Sequence, residues 1–220
     1  MKNLRFEYVD NRIHIIDYPA ADKVLELPDT QITKRLKDMF LHRSDLHYSI
    51  EFMQSIHVSN SQIISKALVH SAIISYYKCF GQNDFRNNSL IKKKVLTGLP
   101  KEASDVFDYY KSIRDKFIAH DASRYAQVYT GAIIESSNPK PFVDIMATAF
   151  IANIPDIKMD TLQSLFNLLS VTLEWVENEI NKIMNVLIAE FSQYDITQFK
   201  QLNEIIYTVP TDNDWDKPRY

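Results

Sequence analysis

The sequence predicts a mainly α protein, an up-and-down bundle of four to five helices carrying one or two small β-hairpins. Three observations lead there. Apolar residues recur at threes and fours over most of residues 31–193. Glycine is scarce, with 3 in 220 residues, and two stretches alternate with a period of two instead.

Residues 4–18 alternate through Leu4, Phe6 and Tyr8, meet Asp10-Asn11, and resume at Ile13 and Ile15. Two β-rich runs around a turn dipeptide predict a hairpin ahead of the helical body. Pro19 and Pro28 punctuate the next stretch, so residues 1–29 form a hairpin and connector. From Thr30 or Gln31 the spacing turns helical, through Ile32, Leu36, Met39, Phe40, Leu46, Ile50 and Met53. Ser59 or Asn60 reads as the N-cap of a second helix. Its apolar face is expected at Ile63, Ile64, Ala67, Leu68, Ala72, Ile74, Tyr76 and Phe80, and it ends at Gly81. Gln82–Ser89 is a polar loop, and Leu90–Leu96, with Lys92-Lys93-Lys94, a short helix before Gly98 and Pro100. Glu102–His120 is a third long helix whose buried side carries Val106, Phe107, Tyr110, Ile113, Phe117 and Ile118.

Beyond it, Val128–Ile134 and Phe142–Phe150 flank Asn138-Pro139-Lys140-Pro141, which predicts a hairpin inserted near 126–152; Ala147–Ile151 also fits a helix. The longest helix is expected over residues 160–193. There Leu162, Phe166, Leu169, Leu173, Val176, Ile180, Ile183 and Leu187 make a heptad-like seam, about 50 Å long at 1.5 Å per residue. Residues 30–195 are thus one helical domain with an insertion, and 196–220 a tail with a modest Phe199-Leu202-Ile205-Ile206 stripe.

Composition narrows the function. Hydrophobic content of 45% and charged content of 24% are those of an ordinary globular protein. A net charge of −3 supplies no global basic field, so a nucleic-acid contact has to come from a local patch. The absence of GxxxxGK[ST] and GxGxxG argues against P-loop and dinucleotide folds. The single cysteine, Cys79, allows no intramolecular disulfide and no cysteine-rich zinc site, and a reducing cytoplasmic setting is expected. Met1–Glu7 has no apolar signal core, and no apolar run approaches the roughly 20 residues that span a bilayer, so a soluble protein is expected.

The chemistry concentrates in Ser112-Ile113-Arg114-Asp115-Lys116-Phe117-Ile118-Ala119-His120-Asp121. Arginine forks onto phosphate oxygens with a permanent charge, and histidine gives or takes a proton near neutral pH, which together suit a phosphodiester. On one ideal helix, six steps of roughly 100° leave Arg114 and His120 about 120° apart. One copy closes poorly around a substrate; two copies meeting across an interface do better. Each residue also has a structural reading: histidine is favoured at a helix C-terminus by the macrodipole, and an arginine in a bundle pairs with carboxylates.

Arg114-Asp115-(four residues)-His120 resembles the R-x4-6-H signature of the HEPN superfamily (higher eukaryotes and prokaryotes nucleotide-binding domains), in particular its abortive-infection-type branch. The specific match covers about ten residues, and a looser match in helix order extends over roughly residues 30–195. The resemblance implies an all-α bundle that dimerises to bring two Arg114/His120 pairs into one cleft. Active members are endoribonucleases that need no metal or other cofactor, and others keep the fold without the activity. His120 would act as general acid or base, Arg114 would stabilise phosphoryl charge, and Asp115 would orient its neighbours. By position alone, Lys116 off the apolar stripe, Tyr110 four residues before Arg114 and Arg124 four past His120 are candidate substrate contacts. The implied partners are RNA, a second copy of the chain and a neutralising protein, in a toxin or phage-defence role.

The other histidines assemble no site. His42 and His47 are five apart with no acidic partner to complete a zinc triad; His57 and His70 read as satisfied bundle residues. Lys92-Lys93-Lys94 with Arg86 is the densest basic cluster and a second candidate for an RNA backbone contact.

Overall fold

The structure is a computed structural model, and it describes residues 4–21, 23–56, 61–81, 86, 88–118, 126–136, 142–151 and 159–206. As expected, the protein is mainly helical with two small antiparallel hairpins. In order these are β1 (Phe6–Val9), β2 (Arg12–Ile15), α1 (Gln31–Ile56), α2 (Gln62–Lys78), α3 (Lys92–Val95), α4 (Lys101–Ile113), a π-helical turn (Arg114–Ile118), β3 (Ala126–Ile134), β4 (Phe142–Ile151), α5 (Met159–Phe191) and α6 (Ile196–Phe199). Two of the helices, α3 and α6, are single turns of four residues, so among the described residues the long helices number four.

The chain divides into two compact units. One comprises Met1–His42, Gln82–Ser89 and Val176–Tyr220; the other comprises Arg43–Gly81 and Leu90–Trp175. Helices α1 and α5 each give one part to either unit.

In the first unit, β1 pairs with β2 from Phe6↔Ile15 to Val9↔Arg12. Asp10 and Asn11 sit at φ 50° and 63°, the two positive values that a type I′ turn requires and that Asp and Asn tolerate. Asp17 closes the open end, accepting from the Arg5 backbone N–H at 2.6 Å and from its guanidinium at 2.9 and 3.0 Å. Helix α1 opens on a reciprocal pair: the Thr30 hydroxyl accepts from the Thr33 N–H, and the Thr33 hydroxyl accepts from the Thr30 N–H. This is the logic of a capping box with threonine in the place of glutamate. Residues expected to be tail are instead built in. Ile205 N–H donates to Val24 O and Glu26 N–H to Asn203 O, with Leu25 bridged to Glu204. Asp195 caps α6 in a capping box with Gln198.

The polar side chains Asp38, His42 and Arg86 are buried in this unit. Asp38 accepts from the backbone and side-chain N–H of Asn88. Arg86 stands 3.0 Å from His42 Nδ1 and Asn88 O stands 2.8 Å from His42 Nε2. A guanidinium can only donate and a carbonyl can only accept, so Nδ1 is the acceptor and Nε2 carries the proton. His42 is therefore held as one neutral tautomer. Arg86 presents no cation to solvent and is no part of a basic patch. The part of the α5 seam that falls in this unit is buried at Val176, Ile180, Ile183 and Leu187.

The second unit holds a helical core. Helix α2 has Ser61 at its N-cap, so the expected Ser59 or Asn60 does not hold that position. Its buried residues are Val69, Ala72, Ile73, Tyr76 and Tyr77, while Ile63, Ile64 and Ile74 of the expected face are exposed. The helix is apolar on nearly every side, so spacing alone does not single out the inward face. Tyr77 donates to the Phe107 carbonyl of α4 at 2.5 Å, Ser49 of α1 donates to the Ala72 carbonyl at 2.6 Å, and Tyr76 meets Thr172 of α5 at 3.1 Å. Here the α5 seam is buried at Leu165, Leu169 and Thr172. Thr172 stands where the heptad reading puts Leu173, and its hydroxyl is satisfied by the Leu168 carbonyl one turn back. Strands β3 and β4 pair from Ala126↔Ile151 to Ile134↔Phe142, so residues 147–151 are strand and not helix. Among the described residues, no helix is long and apolar enough to cross a membrane.

Candidate functional site

Helix α4 buries Phe107, Tyr110 and Ile113, an i, i+3, i+6 stripe that pins one side of the helix to the core. Arg114 follows as its C-cap, with helical backbone angles, and opens the π-helical turn. The sequence points to an unbroken helix through His120; the structure changes winding at the first residue of the motif. An i→i+5 turn is rare and is frequently found at functional sites.

The Arg114 side chain is 40% exposed, and one of its donors goes to Asp115 Oδ1 at 2.5 Å. Lys111, one α-helical turn earlier, donates to the other oxygen of Asp115 at 2.6 Å. The Lys111 hydrogen bond does most to hold the Asp115 carboxyl below its ordinary value; burial opposes it, and the Arg114 hydrogen bond, a smaller effect than burial, adds to the lowering. Asp115 is thus an anion that fixes two cations at the start of the turn. Lys116 is exposed beside them and makes no ion pair among the described residues. His120, Asp121 and Arg124 lie outside the described residues.

Its place four residues before Arg114, on the same helix face, makes Tyr110 an expected substrate contact. In the structure it is fully buried and stacks edge-on against Tyr109 at 5.0 Å, with its hydroxyl pKa raised by burial. A side chain with no exposed surface meets no ligand from solvent, so Tyr110 belongs to the core that holds the turn in place. The basic cluster is likewise reduced: Lys92 pairs with Asp108 at 2.7 Å and lies 5.0 Å from the Phe107 ring centroid.

Two residues of α2 that carry no motif in the sequence pack against the π-helical turn. The His70 imidazole meets the Phe117 ring edge-on, with centroids 5.8 Å apart, and Lys66 Nζ is 5.9 Å from the same ring centroid. His70 is not the satisfied bundle residue expected: its Nε2 is buried with no hydrogen-bond partner among the described residues. Burial lowers its pKa below the ordinary 6.5, with the Lys66 charge adding to the effect. The signal in the sequence is the Lys66/His70 i, i+4 pair on a helix face. The imidazole is neutral in the fold, whereas the unfolded chain takes up a proton as pH falls through 6.5. This contribution to stability is full above pH 6.5 and is lost as pH falls toward the lowered native pKa. We expect His70→Leu to show a smaller drop in urea midpoint between pH 7.5 and pH 5.5 than the wild type. Equal drops would show that His70 does not titrate on unfolding.

Three clefts of the described surface lie apart from these residues. One of about 540 Å³ lies between Glu26–Asp29 and Gln201–Asn203, one of about 740 Å³ is lined by Thr30, Arg35, Asn88 and Glu179, and one of about 300 Å³ lies between Leu99–Ala103 and Ser164–Val171; none is lined by Arg114, Asp115 or Lys116. No group of three or more His, Cys, Asp or Glu side chains that could hold a metal ion is found among the described residues. Compared with known proteins, the chain matches no family model, no curated protein and no solved structure.

Proposed function

We propose that this chain is a HEPN-type endoribonuclease that needs no metal. The reading is supported by one observation above the others: a part-exposed Arg114 guanidinium at the mouth of a π-helical turn, on a helix anchored by buried Phe107, Tyr110 and Ile113. Asp115 and Lys111 hold that end of the helix in a charged network, and only one donor of the Arg114 fork is committed to it. In the proposed reaction the RNA's own 2′-hydroxyl attacks the adjacent phosphorus. His120 takes its proton or supplies one to the leaving 5′-oxygen, and Arg114 stabilises the charge that builds on the phosphoryl oxygens. Lys116, with Arg124, would add phosphate contacts. A homodimer would bring two Arg114/His120 pairs to one substrate, and a toxin or phage-defence role with a neutralising partner follows from the resemblance alone.

One observation favours a second reading. Arg114 already has an internal carboxylate neighbour in Asp115, as it would in a non-catalytic HEPN-like interaction or nucleotide-binding module. The two readings part on the 2′-hydroxyl. In EDTA, the wild type should cut a labelled RNA oligonucleotide to a 2′,3′-cyclic phosphate end, and a single 2′-deoxy nucleotide at that position should stop the cut. Cutting that ignores the 2′-deoxy substitution would sink the mechanism, and a folded protein that leaves RNA intact would favour the module.

A further inference from the structure

The cleft of about 540 Å³ in the first unit is built over a carboxylate that its neighbours leave half used. Asp38 of α1 lines this cleft, yet the residue is only 4% exposed. Asn88 gives both its backbone and its side-chain N–H to one oxygen of Asp38, Oδ2, at 3.0 and 2.8 Å. The other oxygen, Oδ1, has no hydrogen-bond partner among the described residues, and no cation among them forms an ion pair with Asp38. The buried Arg86 guanidinium goes to His42 Nδ1. Among the described residues, His70 Nε2 is the one fully enclosed side-chain atom left unpaired, so Asp38 Oδ1 keeps an opening to solvent. Of the three clefts, this is the one that Asp38 lines. A nearly buried anion with an unfilled acceptor is uncommon, because it gives up hydration without full replacement.

Two lysines also line the cleft, but each already meets another acid. Lys34 pairs with Asp29 at 3.0 Å, and Lys37 stands 3.4 Å from Glu26 and 3.9 Å from Asp29. Three carboxylates thus face two ammonium groups, and Asp38 is the charge that the cleft does not match. Half-buried Leu27, Pro28 and Leu202 supply apolar wall. Such a volume, an apolar wall and one convergent polar group are what a small-molecule site needs. The free oxygen also sets the head of the ligand. A guanidinium or amidine fork asks for both carboxylate oxygens. Here Oδ2 is taken twice, so the group that fits is a compact cation with a single-point donor, an ammonium.

We propose that this cleft binds a small organic cation, a primary amine whose ammonium meets Asp38 Oδ1 and whose apolar body lies against Leu27, Pro28 and Leu202. The proposal is independent of the ribonuclease reading, and its test contains no RNA. Benzylamine is the probe, titrated into the full isotope-labelled chain and followed by amide shifts in NMR spectra. It should bind with a Kd of about 1 mM or tighter, ordinary for a ligand of this size, and the shifts should centre on Asp38 and Leu202. Benzyl alcohol, the same body without the charge, should bind at least about tenfold more weakly, the effect of losing a hydrogen bond to a charged group. Asp38→Asn should cause the same loss for benzylamine. Its remaining oxygen can still accept from Asn88, so its urea midpoint should stay close to that of the wild type. Gln201→Trp, at an exposed position on the rim, should fill the cleft and weaken binding without touching Asp38; it carries the test should the asparagine variant fail to fold. Benzylamine that binds no better than benzyl alcohol, or equally well to wild type and both variants, overturns the proposal. Benzoate binding in its place also overturns it and gives the cleft to the lysines. Benzamidine binding at least about tenfold tighter than benzylamine overturns the ammonium head in favour of a fork.

Discussion

Arg114→Ala should lower the rate of RNA cleavage in EDTA by at least about 10²-fold while the folded protein keeps its stability. The size comes from removing a preorganised donor aimed at charge that develops only in the transition state, an effect worth roughly 10²–10³. The small cost in stability comes from geometry. Arg114 is part-exposed and pairs with its own neighbour, Asp115, and an ion pair of that kind contributes about 0–1 kcal/mol. Asp115 keeps Lys111 when the guanidinium goes. Arg114→Lys should recover little, because an ammonium is a point charge and not a fork that spans two phosphoryl oxygens. His120→Ala should lose roughly 10²–10⁴-fold through the proton transfer. Initial rates on one labelled RNA decide the matter, alongside a denaturation curve for each variant. An Arg114→Ala protein that cuts within about threefold of the wild type would remove Arg114 from the chemistry.

The largest effect on stability is expected at Tyr76. Its ring lies 4.8 Å from Tyr77, 5.2 Å from Phe80 and 6.0 Å from Phe107, centroid to centroid, and its side chain is fully buried. Tyr76→Ala should cost about 3–5 kcal/mol, the range for emptying a packed aromatic site. Tyr76→Phe should cost only about 1 kcal/mol. The Thr172 hydroxyl proton goes to the Leu168 carbonyl at 2.8 Å, so Tyr76 is the donor in the 3.1 Å contact and Thr172 the acceptor. Removing the tyrosine hydroxyl therefore leaves Thr172 with its own donor still satisfied. Urea denaturation of the three proteins measures both numbers. A phenylalanine variant as unstable as the alanine variant would mean that the hydroxyl, and not the ring, secures α2 to α5.

Local chemistry carries much of the fold on its face. Asp10-Asn11 announces a tight hairpin because both residues tolerate positive φ, and Gly81 marks the end of α2. The alternation around Asn138–Pro141 marks the inserted ribbon, which the structure extends to Ile151. What stays hidden depends on partners distant in sequence. Asp38 and His42 sit on the buried face of α1 because Arg86 and Asn88 come back to meet them, so a count of apolar spacings on α1 passes over them. The inward face of α2 is misread from spacing because Ile63 and Ile74 are as apolar as Val69 and Ile73. At the candidate site the sequence locates Arg114 and Asp115. It gives no sign of the π winding, nor of His70 lying against Phe117.

The backbone strip that joins residues 24–26 to 203–205 sets an order of events for the chain as it is made. Leu25 is bridged to Glu204, and the Glu26 amide is satisfied by the Asn203 carbonyl. These pairings close almost the whole described length of the chain into a loop, the kind of contact that costs most in closure entropy and forms slowly. A ribosome releases residues 24–26 long before 203–205 exist, so this strip of backbone stays without its partner through most of synthesis. The second unit, drawn from Arg43–Gly81 and Leu90–Trp175, has all its residues well before then. The earlier-made side of this strip waits for the later one.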